Sequence, residues 1–172
     1  AQHHIACVNA LEVIKEVQKE FGEMFGRKYN ISAEGFMLDD AELALVVMGS
    51  IGTTARAAIM ELREEGVKVG LLQLALVRPC PEKELGEALK DKKAVGIVDR
   101  DYSLGRRGAV LFTELEGPLR RIPNGPKVIS NFIAGIGGVP QTTKSFKKIV
   151  HKLMEHLENG ESAVEWSDLE ES

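Results

Sequence analysis

Cysteine is scarce in this chain of 172 residues: there are two, Cys7 and Cys80, and no C-x-x-C pair. Two distant cysteines exclude a disulfide scaffold, a zinc knuckle or an iron–sulfur cluster within the chain, and they suit a reducing cytoplasm. Both read as small apolar packing residues. Basic charge is not in excess either. Lys and Arg number 22 against 26 Asp and Glu, a net charge of −4, so nothing pulls the whole chain towards nucleic acid. Long apolar runs are missing. Leu43–Met48 is among the longest, far short of the roughly 20 residues of a membrane span. No signal peptide is expected.

Several site signatures are also absent. "GSIGTTARAA" (Gly49–Ala58) has Gly49-x-x-Gly52 but lacks the G-x-G-x-x-G of a dinucleotide fingerprint and the Gly-Lys-Ser/Thr of a P-loop. His151 and His156 are five apart, about 140° around a helix, and cannot share a metal; His3 and His4 stand near the first residue. All four histidines read as solvated. No Ser/His/Asp set or carboxylate pair marks a pocket, so no catalytic residue and no metal ligand is assigned.

What is present describes a folded domain. A chain 44% apolar and 28% charged is globular in composition and long enough to bury a full core. It divides into a helix and linker over 1–42, an α/β unit over 43–158 and an acidic tail over 159–172. A first helix is predicted over Val8–Phe25, with Ala10, Ile14, Val17, Phe21 and Met24 on its buried face and Gly26 as its stop. Arg27–Glu42 reads as linker.

From residue 43 strand and helix alternate four times. Leu43–Ser50 is a continuous apolar run, the mark of a strand covered on both faces. A helix follows over Thr53–Glu65, burying Ala55, Ala58, Ile59 and Leu62 and ending at Gly66. Val67–Pro79 is the second strand, Pro81–Asp91 a short helix, Lys93–Asp99 the third strand. A helix from about Gly108 is interrupted by Gly117-Pro118. Lys127–Ile136 is the fourth strand, and Thr142–Leu157 a helix burying Phe146, Ile149, Val150, Leu153 and Leu157. The tail frays, with Trp166 available to dock. The alternation predicts a three-layer α/β/α sandwich, Rossmann-like, with a mostly parallel sheet and right-handed crossovers. Ligands and partners of such sheets meet the carboxyl ends of the strands.

Three stretches at those ends are candidate sites. The turn of Gly49, Ser50, Gly52 and Thr53 is either a tight strand-to-helix connection capped by Ser50 or Thr53, or an anion cradle of helix amides. Arg78, between strand end and prolines, makes an internal salt bridge or subunit contact, or else clamps a substrate carboxylate or phosphate. "DRDYSLGRRG" (Asp99–Gly108) carries Arg100, Ser103, Arg106 and Arg107. Either the loop is structural or interfacial, with its aspartates neutralising its arginines, or it holds an anion such as a nucleotide or coenzyme A phosphate.

The order of these segments resembles one family. "ALEVIKEVQKEFGEMFGRKY" (Ala10–Tyr29), the run from "LALVVMGS" to "RPCPEKEL" (Leu43–Leu85), "AVGIVDRDYSLGRRG" (Ala94–Gly108) and "NFIAGIGG" (Asn131–Gly138) look like the C-terminal part of the alpha subunit of pyruvate:ferredoxin oxidoreductase and its 2-oxoacid relatives. Two features depart from the family pattern: Cys80 stands where phenylalanine is usual, and "LGRRGAV" is less glycine-rich. The resemblance implies a domain similar to the C-terminal domain of transketolase. It implies an enzyme of the EC 1.2.7 class and of anaerobic metabolism that decarboxylates a 2-oxoacid, pyruvate first, to an acyl-coenzyme A and reduces ferredoxin. Thiamine diphosphate, magnesium and [4Fe-4S] clusters would belong to the assembled enzyme and coenzyme A would be its substrate, none of them bound by this chain alone. The expected role here is non-catalytic: docking against the N-terminal domain of the same subunit and the beta, gamma and delta subunits, in the cytoplasm, with no nucleic acid or membrane contact.

Overall fold

The computed structural model describes residues 1–27 and 32–168. Three elements occupy the first part of the chain: helix α1 (Gln2–Phe25), strand β1 (Ala33–Phe36) and strand β2 (Leu43–Met48). Helix α2 (Ile51–Glu64), strand β3 (Val69–Leu74), helix α3 (Glu82–Leu89) and strand β4 (Ala94–Asp99) come next. Helix α4 (Val110–Arg120), strand β5 (Val128–Ile133), a single 3-10 turn (Ile136–Gly138), helix α5 (Thr143–Asn159) and strand β6 (Val164–Trp166) complete it. The sheet order is β1-β3-β2-β4-β5-β6. Every neighbouring pair is parallel except β1 with β3, where Ala33 faces Leu74 and Phe36 faces Leu71.

The apolar runs explain this arrangement. Alternate residues of one strand point to opposite faces. Leu45, Leu71, Val98 and Phe132 meet Ile59 and Leu62 of α2 and Phe146, Ile149 and Leu153 of α5. Val46, Leu72, Ile97 and Ile129 meet Leu85 and Leu89 of α3 and Leu111, Leu115 and Leu119 of α4. Two helices cover each face, so the predicted three-layer α/β/α sandwich is what the chain forms.

The sheet is wider than four strands. β1 lies inside the segment read as linker, and β6 lies inside the tail read as frayed; residues 28–31 of that linker and 169–172 of that tail lie outside the described residues. Both new strands are short edge strands, four and three residues long, too brief for periodicity to show. Their lengths also blunt the sheet's two edges. Two strands end earlier than the sequence suggested: β3 stops at Leu74 and β5 at Ile133.

Helix α4 runs through Gly117-Pro118 without interruption. Proline removes one amide here, and the helix ends two residues later at Arg120, so little hydrogen bonding is lost. Leu115 and Leu119 anchor both sides of it in the core. Helix α1 departs most from expectation. It has no buried residue: Ala10 and Ile14 are half covered, whereas Val17, Phe21 and Met24 are exposed. The sheet faces are already filled by α2 with α5 and α3 with α4, which leaves α1 no core to enter. Lys15 pairs with Glu84 of α3 at 3.3 Å, and Cys7 on α1 is exposed rather than packed.

Candidate functional site

β2 turns back to β3 on one side, while β4 pairs with β2 on the other. Strand order reverses between β2 and β4, the place where open α/β sheets leave a crevice at their carboxyl ends. A crevice of about 530 Å³ lies there, with Met48, Val77, Val98 and Leu111 among its lining and Arg78, Asp99, Arg100 and Glu114 as its charged groups. A larger hollow, about 710 Å³, lies along α5 and is lined mainly by that helix's own residues, Lys144, Lys147, Lys148 and Lys152 among them; it joins few elements.

The chemistry of the crevice is set by the start of α4. A helix N-terminus carries amides without helical acceptors and a partial positive charge. Here four successive amides are taken by side chains of the chain itself. Ala109 N donates to Asn131 Oδ1 at 2.8 Å, Val110 N to Asp101 Oδ1 at 2.9 Å, and Leu111 N and Phe112 N to the two oxygens of Asp99 at 2.9 and 3.2 Å. Asn131 Nδ2 donates in turn to Asp99 Oδ2 at 2.8 Å and to Ile97 O at 3.1 Å. Asp99 is only 3% exposed. Burial pushes its carboxyl up to about 6, while Leu111 N, Asn131 and Phe112 N pull the other way and nearby Asp101 adds to the rise. Gly108 makes the approach possible: its φ is +90°, and a Cβ there would lie 2.5 Å from Phe112 Cδ1 and 3.1 Å from Asn131 Oδ1.

The aspartates therefore do not neutralise the loop's arginines, as the sequence reading allowed. They satisfy the helix, which is the stronger claim on a buried carboxylate. Arg100, Ser103, Arg106 and Arg107 are brought to one loop above the crevice, with Arg106 N closing a turn on Ser103 O at 3.1 Å. Arg78 lines the same crevice from a different segment, where its Nε donates to Glu114 Oε2 at 3.1 Å and its Nη2 to Glu114 Oε1. That guanidinium holds the Glu114 carboxyl below the usual range. The Arg78 site is thus an internal ion pair.

The turn of Gly49, Ser50, Gly52 and Thr53 sits beyond β2. Neither hydroxyl caps α2: Ser50 holds the N-cap position without a side-chain bond. Backbone bonds from Gly52 N to Gly49 O and from Thr53 N to Ser50 O close it instead. Gln73 braces it from β3, donating to Gly49 O at 3.1 Å. A Cβ on Gly52 would stand 2.3 Å from Gln73 Cδ, so a larger residue there would displace the Gln73 amide from its brace.

Three features escaped the sequence reading. Asn131 is the first; its signal was a polar Ser130-Asn131 pair in the middle of an apolar strand, and both are fully buried. His156 is the second. It is buried rather than solvated, with Nδ1 3.0 Å from Ser130 Oγ, Nε2 3.1 Å from Glu165 Oε1, and its ring stacked on Phe132. This Ser–His–Glu row looks nucleophilic on paper, but Ser130 is sealed from solvent and also accepts from Ala163 N at 3.2 Å. It clasps β6 to the sheet. The third is Asp168, which accepts from Gly135 N and from Gln141 Nε2 at 2.8 Å. With it the end of β6 reaches the site: Trp166 packs against Tyr102 of the 100–108 loop, ring centroids 4.6 Å apart.

Cys80 is half buried beside α3, as a packing residue should be, and burial pushes its thiol up to about 11. Among the described residues, no group of three or more His, Cys, Asp or Glu is placed to hold a metal ion, and no helix is long and apolar enough to cross a membrane.

A family model described as pyruvate:ferredoxin oxidoreductase core domain II matches residues 41–146. The chain is 38% identical over 163 residues to ketoisovalerate oxidoreductase subunit VorA of Pyrococcus abyssi, covering 93% of this chain and 40% of that protein. It is 36% identical over 160 residues to pyruvate synthase subunit PorA of Methanothermobacter thermautotrophicus, covering 93% and 39%. The chain thus spans about two fifths of the length of these relatives. Among solved structures it resembles 2-oxoglutarate:ferredoxin oxidoreductase from Magnetococcus marinus with a TM-score of 0.54 and 20% identity, over 85% of this chain and 23% of that one. A split-gene transketolase, described as an inactive β4 tetramer, matches with a TM-score of 0.56 and 17% identity, over 75% and 43%. These two likenesses speak to the fold.

Proposed function

Because the chain belongs to the pyruvate:ferredoxin oxidoreductase core domain II family, we propose that it is the non-catalytic scaffold domain of an alpha-type subunit in a 2-oxoacid:ferredoxin oxidoreductase. The assembled enzyme would decarboxylate a 2-oxoacid, pass the electrons to ferredoxin and release an acyl-coenzyme A. Relatives named for ketoisovalerate and for pyruvate match this chain to similar extents, which favours placing the choice of acid, pyruvate included, in other parts of the assembly.

The observation that carries the scaffold reading is the self-satisfied crevice. Asp99, Asp101 and Asn131 consume the amides of α4, and Glu114 consumes Arg78. Among the groups around the crevice that could bind a substrate, the amides of α4 and Arg78 are engaged in holding the domain's own loops, and Arg100 is the one charged group of its lining without an ion pair or amide partner among the described residues. Thiamine diphosphate, magnesium and [4Fe-4S] clusters do not fit the donor set: two cysteines 73 positions apart cannot hold a cluster, and the described acids and histidines do not converge. We place these groups in the other domains and subunits, where such cofactors would supply the chemistry. The N-terminal domain of the subunit and the beta, gamma and delta subunits are the proposed partners, with ferredoxin reached through the complex in the cytoplasm. The open apolar side of α1, with Val13, Val17, Met24 and Phe25 exposed, is where we expect the rest of the subunit to pack.

The test is a 2-oxoacid-dependent viologen reduction assay on the purified chain and on the chain assembled with the remaining subunits. The expected result is no turnover alone and turnover in the assembly. Decarboxylation by the chain alone would overturn the reading.

A further inference from the structure

Apart from Arg27, just past the end of α1, the arginines of this chain fall into two groups. Arg56, Arg63, Arg78, Arg120 and Arg121 each form an ion pair. Arg100, Arg106 and Arg107, all exposed, form none with any described residue. The reason is local. Their nearest acids in sequence, Asp99 and Asp101, are committed to the amides of α4. Three guanidiniums are therefore left without an ion pair on one nine-residue loop, Arg106 acting only at a distance on Glu114.

Apolar surface is concentrated at the same place. Leu104 stands at the tip of the loop, 88% exposed, and Tyr102, Trp166 and Val110 are exposed around its base. Arginine, aromatic and large aliphatic side chains in one patch have the composition of docking hot spots. The loop is also fixed in advance. Asp101 ties its start to Val110, Arg106 N closes on Ser103 O, and Tyr102 is braced by Trp166. A preordered loop loses little freedom on binding.

We propose that the 100–108 loop is a docking knob for an acidic surface on another subunit of the assembled oxidoreductase. Leu104 enters an apolar socket there, and Arg100, Arg106 and Arg107 meet carboxylates on its rim. This rests on the multisubunit reading above. A convex tip crowned by leucine suits a socket in a protein; a small anion would be better served by guanidiniums converging on a hollow.

The experiment uses the full complex, with a photo-reactive p-benzoylphenylalanine in place of Leu104. The expected cross-link joins position 104 to one peptide of a different subunit, rich in Asp and Glu. In parallel, Leu104→Ser and the double variant Arg106→Glu/Arg107→Glu are assembled with the other subunits, their folding checked by thermal unfolding. Each should weaken that subunit's retention about 10- to 100-fold, and the double variant should flatten the salt dependence of assembly. Cross-links confined to this chain, to a second copy, or to a peptide without acidic residues would sink the proposal, as would variants that assemble like wild type. Calorimetric binding of coenzyme A or ATP that disappears in the double variant would replace it with a small-anion site. A chain that joins no oxidoreductase subunit at all would remove the functional reading and this one together. A complex that forms with an indifferent loop removes only this one.

Discussion

Helix α1 and the 100–108 loop both hold apolar side chains out in solvent, and they do so on different foundations. Along α1, Val13, Val17, Met24 and Phe25 are exposed on an element with no buried residue, joined to the body by the Lys15–Glu84 pair. In the loop, Leu104 is exposed on a segment whose roots are a buried carboxylate, a buried amide side chain and a strand added at the sheet edge. The first is surface left over when both sheet faces had been filled. The second is surface held in place by buried polar groups. Polar burial without a partner costs about 1–3 kcal/mol per group, so a network satisfied at every atom specifies where its loop sits. Exposed large apolar side chains alone would have ranked α1 first.

The largest expected effect comes from removing the root of that loop. Asn131→Ala leaves Ala109 N without its acceptor, removes one donor from Asp99 and opens a cavity under α4. A loss of about 3–4 kcal/mol in unfolding free energy is expected, read as a lower denaturant midpoint with an unchanged m-value. A cost under 1 kcal/mol would show that the network follows the loop and does not hold it.

Asp99 gives the contrast a pH signature. Its folded carboxyl, pushed from the ordinary 3.8 to about 6, binds a proton more tightly than in the unfolded chain. Its contribution to stability is therefore complete below pH 3.8 and is lost as pH rises through about 6. At most roughly 3 kcal/mol separates the two limits. Asp99→Asn should flatten the fall in stability between pH 4 and 6.5 in denaturant melts taken at several pH values. An unchanged slope would mean that the three hydrogen bonds to Asp99, and not its burial, set its proton affinity.

How much of this was legible beforehand divides along the same line. The strands of the parallel core were readable because Leu43–Met48 and Ala94–Val98 are apolar on both faces, and α5 because Phe146, Ile149, Val150 and Leu153 recur at helical spacing. Arg78, Arg100, Ser103, Arg106 and Arg107 were placed at carboxyl ends of strands from the alternation of strand and helix along the chain alone. The polar root was not readable, because Asn131 and Asp99 are 32 residues apart and meet only when β4 and β5 pair in register. β6 was missed for a related reason. Three residues carry no period, and what holds them is His156, whose partners Ser130 and Glu165 come from two other elements. The helix start at α4 left two readings open, a structural loop or an anion site, because the sequence does not show that Asp99, Asp101 and Asn131 take its amides.

His156→Ala should release β6 and with it the brace on Tyr102. The clasp is partly buried and its loss is expected to cost about 2 kcal/mol. The sharper readout is Trp166 fluorescence, which should move to longer wavelength and become easier to quench, while hydrogen exchange at Asn131 and Ser167 amides rises. If Trp166 emission stays as in the wild type, β6 is held by its backbone pairing alone and the loop has one root fewer.

The smallest expected effect tests the other side of the contrast. Val13→Ser and Val17→Ser lie on the open face of α1, where each side chain is already more than half exposed. Because almost no area is withdrawn from water there, the unfolding free energy of the chain should change by no more than about 0.5 kcal/mol. In the assembled enzyme the same pair should act differently, since a helix face that packs against the rest of the subunit withdraws those side chains from water on association. Thermal melts of the chain and of the complex, run side by side, separate the two states. A large loss in the chain alone would mean that α1 is part of the core after all, and the contrast with the 100–108 loop would then reduce to a difference in degree.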